Sequence, residues 1–218
     1  MDRLTLGNPS GGILLATGGI DSTVIAYALT KKKIPFAMLF FNYGQGAAEW
    51  EWEMVRIHGE KLEKETLRID WTPPFVPSSS TDIFTGKRKP VLKYKERKDL
   101  GKMFGWIGGR NIIFCVYAGM LAEERGWGQV YFGAGLEDMH KDRDIGLAFF
   151  IHLNEALSLS FIHPMRVINP LDHLTGREIV ELGKKLGVDW DLTTSCDRAF
   201  PPCNVCHNCG VREERLEE

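Results

Sequence analysis

Two short segments of this chain hold residue types and spacings that could do chemistry. The first runs Leu14-Leu15-Ala16-Thr17-Gly18-Gly19-Ile20-Asp21-Ser22-Thr23. Gly18 and Gly19 permit close backbone approach and unusual dihedrals. A helix starting after them directs its free N–H groups and positive dipole end at whatever occupies the turn. Thr17, Ser22 and Thr23 add hydroxyls, and Asp21 adds a carboxylate able to hold Mg²⁺. Together they would cradle a phosphate or pyrophosphate. The same residue types also suit a plain Gly-rich turn in which Asp21 or Ser22 caps a helix. The segment is not a Walker P-loop, because no Lys follows the glycines, and it lacks the third glycine of a dinucleotide fingerprint.

The second segment is Cys196, Cys203, Cys206 and Cys209, crowded into the last 23 residues. Spacings of six, two and two residues suit a tetrathiolate zinc site, where tight turns present successive sulfurs to one tetrahedral ion. Pro201 and Pro202 stiffen the approach to Cys203, and His207 is a competing ligand. With all four positions filled by cysteine the site is closed and structural, not catalytic. An iron–sulfur cluster is the chemical rival, and free buried thiols are the plain alternative. Cys115, alone between Ile112 and Tyr117, reads as core packing.

The rest of the composition bounds what these segments can serve. The 218 residues carry 27 Lys+Arg against 29 Asp+Glu, a net charge of -2, so a strongly basic nucleic-acid face is not expected. Ordinary shares of hydrophobic (44%) and charged (26%) residues exclude a disordered or collagen-like chain. No apolar run approaches the ~18 residues of a membrane helix, and residues 1–10 lack the order of a secretory signal. Thiols used as metal ligands point to a reducing cytoplasm.

The elements that must position the two segments alternate short apolar runs with amphipathic ones. That pattern predicts an α/β fold, a parallel sheet covered by helices. Strands are expected at 12–16, 36–41, 65–70 and 129–133, and helices at 21–30, 47–63, 111–125, 149–159 and 177–186. The last of these is capped by Thr175 and closed by Gly187. After it the Cys- and Pro-rich segment breaks the periodicity. Residues 72–105 fit no element: four prolines, three serines and eight basic residues suit a solvated mobile loop or a basic flap closing over an anionic substrate such as ATP. The expected division is a domain at 1–190 and a metal-binding segment at 191–218.

The 17–23 loop resembles the PP-loop of the ATP pyrophosphatases, Ser-Gly-Gly-x-Asp-Ser, with Thr17 replacing the first Ser. That resemblance implies an adenine nucleotide α-hydrolase-like α/β/α sandwich in which the loop holds the pyrophosphate end of ATP while the α-phosphorus is attacked. With the four cysteines added, the chain resembles the QueC family, the 7-cyano-7-deazaguanine synthases, from about residue 12 to 212. Tyr43-Gly44-Gln45, Gly109-Arg110-Asn111, Gly133 to Asp138, Asn169-Pro170-Leu171, Gly187-Val188-Asp189, Thr194-Ser195-Cys196 and Arg212 match its landmarks in order. Arg110 could meet a phosphate or a substrate carboxylate, or be a salt-bridged surface residue. Tyr43 and Gln45 follow the second strand and could lie near adenine or ribose, or serve the turn. Glu137 and Asp138 could hold Mg²⁺ or accept N–H groups of a guanine-like ring, or form a solvated turn. The chain departs from the family in two places. Between Met139 and Gly146, Asp144 keeps an acidic position, but Ile145 and Gly146 stand where the family has Cys and Arg. The family's Lys in the Pro-Leu…Thr-Lys segment appears as Gly176, with Arg177 beside it.

The resemblance implies a ligase using ATP, Mg²⁺ and Zn²⁺. It would adenylate 7-carboxy-7-deazaguanine, let ammonia displace AMP to give the amide, and dehydrate the amide to the nitrile. Homodimers are frequent in the family. The altered 139–146 stretch motivates a second expectation, a divergent relative that stops at the amide or joins the acyl group to another amine, including one on a protein. A third is a non-catalytic, zinc-stabilised RNA-binding module, supported by the basic cluster at 87–102.

Overall fold

The computed structural model describes residues 4–7, 10–73, 107–141, 143–196, 202–204 and 206–217. Apart from Thr72 and Pro73, the basic loop expected at 72–105 lies outside them, as does the 87–102 cluster. In chain order the elements are β1 (Gly12–Leu15), α1 (Ile20–Lys31), β2 (Phe36–Asn42), α2 (Ala48–Leu62), β3 (Thr66–Asp70), α3 (Arg110–Glu124) and β4 (Gln129–Tyr131). There follow α4 (Leu136–Lys141), α5 (Leu147–Ser160), β5 (Arg166–Ile168), α6 (Gly176–Leu186), a 3₁₀ turn (Trp190–Leu192) and α7 (His207–Leu216).

All five strands are parallel, in the order β3-β2-β1-β4-β5. Successive side chains of a strand point to opposite faces, and here both faces are buried. Leu14, Met38 and Phe40 pack on one side with Ile20, Val24 and Ile25 of α1 and Ile179 and Val180 of α6. Ile13, Ala37, Leu39 and Phe41 pack on the other with Cys115, Ala118 and Ala122 of α3 and Phe150, Leu153 and Leu157 of α5. The result is the expected α/β/α sandwich, and burial explains why the strands read as unbroken apolar runs. β1 lies between β2 and β4, so the connections leaving β1 and β4 diverge. A parallel sheet opens a crevice at the carboxyl ends of such strands.

Helix α6 begins one residue earlier than expected, at Gly176. Its capping box is complete: the Thr175 hydroxyl accepts from the Glu178 N–H, and the Glu178 carboxylate accepts from the Thr175 N–H. Gly187 closes it in the left-handed region at φ 80°. Three elements differ from the sequence expectation. β5 has three residues, too few to show an alternation, and exists through its pairing with β4. α4 forms over the acidic turn after β4. α7 forms where periodicity was expected to break, because Cys206 caps it by accepting from the Cys209 N–H and Val211 to Leu216 are helix-compatible.

Candidate functional site

A cleft of about 450 Å³ opens at the divergence of β1 and β4. The 17–23 loop forms one wall. Gly18 is held at φ 68°, and a Cβ there would stand 2.6 Å from Met54 Cβ, so the loop lies against α2 at a distance only glycine allows. Ser22 Oγ accepts from the Thr17 N–H and donates to the Gly19 carbonyl, each at 3.3 Å. Thr17 Oγ1 accepts from the Gly19 N–H at 3.3 Å. The hydroxyls thus hold the loop open, while α1 starts with no side-chain cap. Its first-turn residues Ile20, Asp21 and Ser22 line the cleft, and the uncapped N–H groups of a helix start suit an anion. Thr17, Gly19, Asp21 and Ser22 line the cleft; Thr23 is buried behind it with Oγ1 unpartnered.

Asp21 Oδ1 is buried and accepts no hydrogen bond. Its charged neighbour Arg215 stands 3.6 Å away, within ion-pair but outside hydrogen-bond reach. Burial raises the Asp21 pKa to about 6; Arg215 opposes the rise, while Asp138 and Glu137 add to it. A buried hard oxygen beside an anion cradle fits a divalent cation. Asp138 accepts from the same Arg215 at 3.1 Å.

The loops after β2 and β4 and the start of α3 form the rest of the cleft. Arg110 donates to Tyr43 Oη at 3.2 Å and lies 5.2 Å over the Tyr43 ring. Both line the cleft. Gln45 is buried instead in the turn: it accepts from the Tyr43 N–H and donates to the Phe41 carbonyl and Glu51. It braces the loop that presents Tyr43. Asp144 lines the cleft and accepts from Asn111 Nδ2 at 2.9 Å. Glu137 turns away, accepting from the Gly176 N–H at 3.1 Å at the start of α6. Asp138 alone of the acidic pair faces the cleft.

The four cysteine sulfurs lie within 4.8 Å of one another. Sulfurs at ~2.3 Å from one tetrahedral ion sit roughly 3.8 Å apart, so the donor set fits zinc. The Cys203 N–H donates to Cys196 Sγ and the Cys209 N–H to Cys206 Sγ, each at 3.4 Å, which orients the sulfurs inward. Cys196 and Cys206 are buried. Cys115 is buried in the core, and burial pushes its thiol up to about 12.

The cysteine segment contributes to the cleft as well. Thr194, Ser195, Asn208, Arg212 and Arg215 line it. Arg212 donates to the Trp190 carbonyl at 2.6 Å and to Thr193 Oγ1 at 3.2 Å, tying α7 to the turn before the cluster. His58, fully buried, donates from Nε2 to the Leu192 carbonyl at 2.9 Å, and burial lowers its pKa. Neither His58 nor Arg215 stands out in the sequence, since their partners are 134 and 194 positions away.

Residues 11–218 match the family model described as Queuosine biosynthesis protein QueC. The chain is 31% identical over 213 residues to the 7-cyano-7-deazaguanine synthase of Methanothermobacter thermautotrophicus, covering 94% of this chain and 93% of that one. It is 28% identical over 233 residues to the enzyme of the same name from Leptospira biflexa, covering 95% and 90%. Among solved structures, the NMN synthetase of Francisella tularensis superposes with a TM-score of 0.53 at 16% identity, over 87% of this chain and 68% of that one. That likeness speaks for the fold. Match to the model over nearly the whole chain, together with the relative at 31% identity, decides the family: the chain belongs to the QueC family.

Proposed function

We propose that this protein makes 7-cyano-7-deazaguanine from 7-carboxy-7-deazaguanine, ATP and ammonia. The observation that carries the reading is the convergence, in one cleft, of the 17–23 anion cradle, the unpartnered Asp21 oxygen and the Arg110–Tyr43 pair, in a chain whose full-length relatives bear that name. A carboxylate is a poor electrophile. Attack of its oxygen on the α-phosphorus of ATP breaks the α–β phosphoanhydride, releases pyrophosphate and yields an acyl-adenylate. Ammonia then forms the C–N bond as AMP leaves, and the nitrogen loses a proton. A second ATP adenylates the amide oxygen, and loss of AMP and protons leaves the nitrile.

In this reading the first turn of α1, Ile20 to Ser22, holds the pyrophosphate, with the Thr17 and Ser22 hydroxyls shaping the loop around it. Asp21 would hold Mg²⁺, which would neutralise the leaving group's charge, while Asp138 pairs with Arg215. Tyr43 and Arg110 bind the nucleotide, Arg110 also facing the reacting carboxylate. Asp144, fixed by Asn111, accepts from the deazaguanine ring. Gln45 keeps the Tyr43 loop in place. Residues 1–190 form the ATP domain, and 191–218 the zinc-binding segment that closes the cleft.

The test is incubation of the protein with ATP, Mg²⁺, 7-carboxy-7-deazaguanine and ammonia, with products followed by mass spectrometry. The expected product is the nitrile, with two AMP formed per nitrile. Accumulation of the amide, or of a conjugate with another amine, would overturn this reading and favour a ligase with a different acceptor.

A further inference from the structure

We propose that Arg215, at the end of α7, is a phosphate-binding residue of this cleft, and that Gly176 lacks a side chain to let it reach there. The inference rests on the ATP reading above and adds to it a group no motif marks.

Arg215 lines the cleft, as Arg110 does, with its side chain 17% exposed. It is placed by a path with little tolerance. A Cβ on Gly176 would stand 2.9 Å from Arg215 Cδ and 3.0 Å from Cζ, and nearer still to Nε. Any side chain at 176 therefore displaces the guanidinium. Gly176 is the first residue of α6, and its N–H is held by Glu137, so the backbone cannot retreat without breaking that bond. The close packing of Arg215 over Gly176 is thus built from both sides.

At the far end of this path the guanidinium stands between two carboxylates. It donates to Asp138 at 3.1 Å and faces Asp21 at 3.6 Å. A guanidinium carries five N–H donors, and among the described residues one bond, to Asp138, is made. Its Nη1 faces Asp21, a residue of the 17–23 loop. Arg212 is directed by its Nη2 to Trp190 and Thr193, with Nε buried, and Arg110 is turned to Tyr43. Of the three cleft arginines, Arg215 is the one that faces a carboxylate of the 17–23 loop. Planar, paired N–H groups suit two oxygens of one phosphate. A triphosphate entering the loop would meet it there while its pairing with Asp138 keeps it aimed.

The same geometry defines an exchange. A Lys at 176 would clash with Arg215, but with Arg215 shortened its ammonium could extend along the vacated path. Binding of α,β-methylene-ATP in the presence of Mg²⁺, measured by titration calorimetry on the full chain, tests this. Wild type should bind. Arg215→Ala and Arg215→Gln should each weaken binding about 10- to 100-fold, the span of a charged hydrogen-bond pair. Gly176→Lys alone should also weaken it, whereas Gly176→Lys with Arg215→Ala should regain most of the loss. Thermal melts identify which variants are folded, and Arg215→Gln keeps a donor to Asp138 should Arg215→Ala melt early. Wild-type affinity in Arg215→Gln, or a folded double variant no tighter than Arg215→Ala, overturns the assignment while the ATP reading stands. A wild type that binds no nucleotide overturns the ATP reading itself.

Discussion

The Thr194 N–H donates to the Gly18 carbonyl at 2.8 Å. The stretch of chain entering the four-cysteine cluster is therefore hydrogen-bonded to the turn of the 17–23 loop. Gly19 sits against the same segment, where a Cβ would stand 3.4 Å from the Thr194 carbonyl oxygen. Cluster and cradle, more than 170 positions apart in sequence, form two sides of one construction.

Metal removal should for this reason be felt in the nucleotide site. Without an ion nothing ties the four sulfurs together, and the start of α7 at Cys206 loses its anchor. Chelation should lower stability by roughly 2 kcal/mol or more, a fall of roughly 4–8 °C in Tm for a chain of this length. It should also weaken ATP binding, because Thr194, Arg212 and Arg215 lose their placement. Calorimetry before and after chelation checks both. Unchanged ATP affinity in metal-free protein would sink the coupling.

Asp21→Asn should separate stability from activity. The Asp21 carboxyl has its pKa raised from 3.8 to about 6, so its charged form is disfavoured in the folded state. A raised carboxylate pKa contributes stability present in full below the unfolded value and lost as pH rises through about 6. At pH 8 the asparagine variant should be more stable than wild type by roughly 1–3 kcal/mol, and the gap should narrow as pH falls through 6. ATP turnover should be lost. Thermal melts across pH 5–8 give the sign, and a less stable variant at pH 8 contradicts the electrostatic account.

Gly18→Ala should cost about 2 kcal/mol or more, from the left-handed φ and from the contact with Met54 Cβ. Adding Met54→Ala should not restore stability, since Cβ remains in alanine and φ stays positive. Full recovery in a denaturant melt of the double variant would show that neither source is as described.

Arg110→Ala should lower kcat/KM for ATP about 10- to 100-fold with little loss of stability, and Arg110→Lys should recover part of it. Steady-state kinetics with melts as control distinguish this from a surface role, in which both variants would behave as wild type.

Thr175→Ala removes one half of the α6 capping box and should cost ~1 kcal/mol. ATP affinity should hold, because Thr175 does not line the cleft. A large affinity loss at small stability cost would mean that α6 positions the acidic pair more tightly than Glu137 alone explains.

What could be read along the chain was what is local or periodic. The 17–23 loop is contiguous, so its glycines, hydroxyls and carboxylate announce an anion cradle by spacing alone. Thr175 and Glu178 are three apart, one helical turn, and the capping box follows. The buried strands at 12–15 and 36–42 are apolar because both faces of a parallel sheet are covered, and the cysteine spacing carries a tetrahedral site in a few tight turns. The tertiary structure alone decided which side chains share the cleft. Glu137 and Asp138 are adjacent in sequence, yet one caps α6 and the other faces Arg215. Gly176 read as a missing lysine until α7 folded back over it and laid a guanidinium in the space. Such pairings have no signature in sequence, because they depend on where two helices begin and at what distance they pack. That distance is set by the whole core and not by any residue near the site.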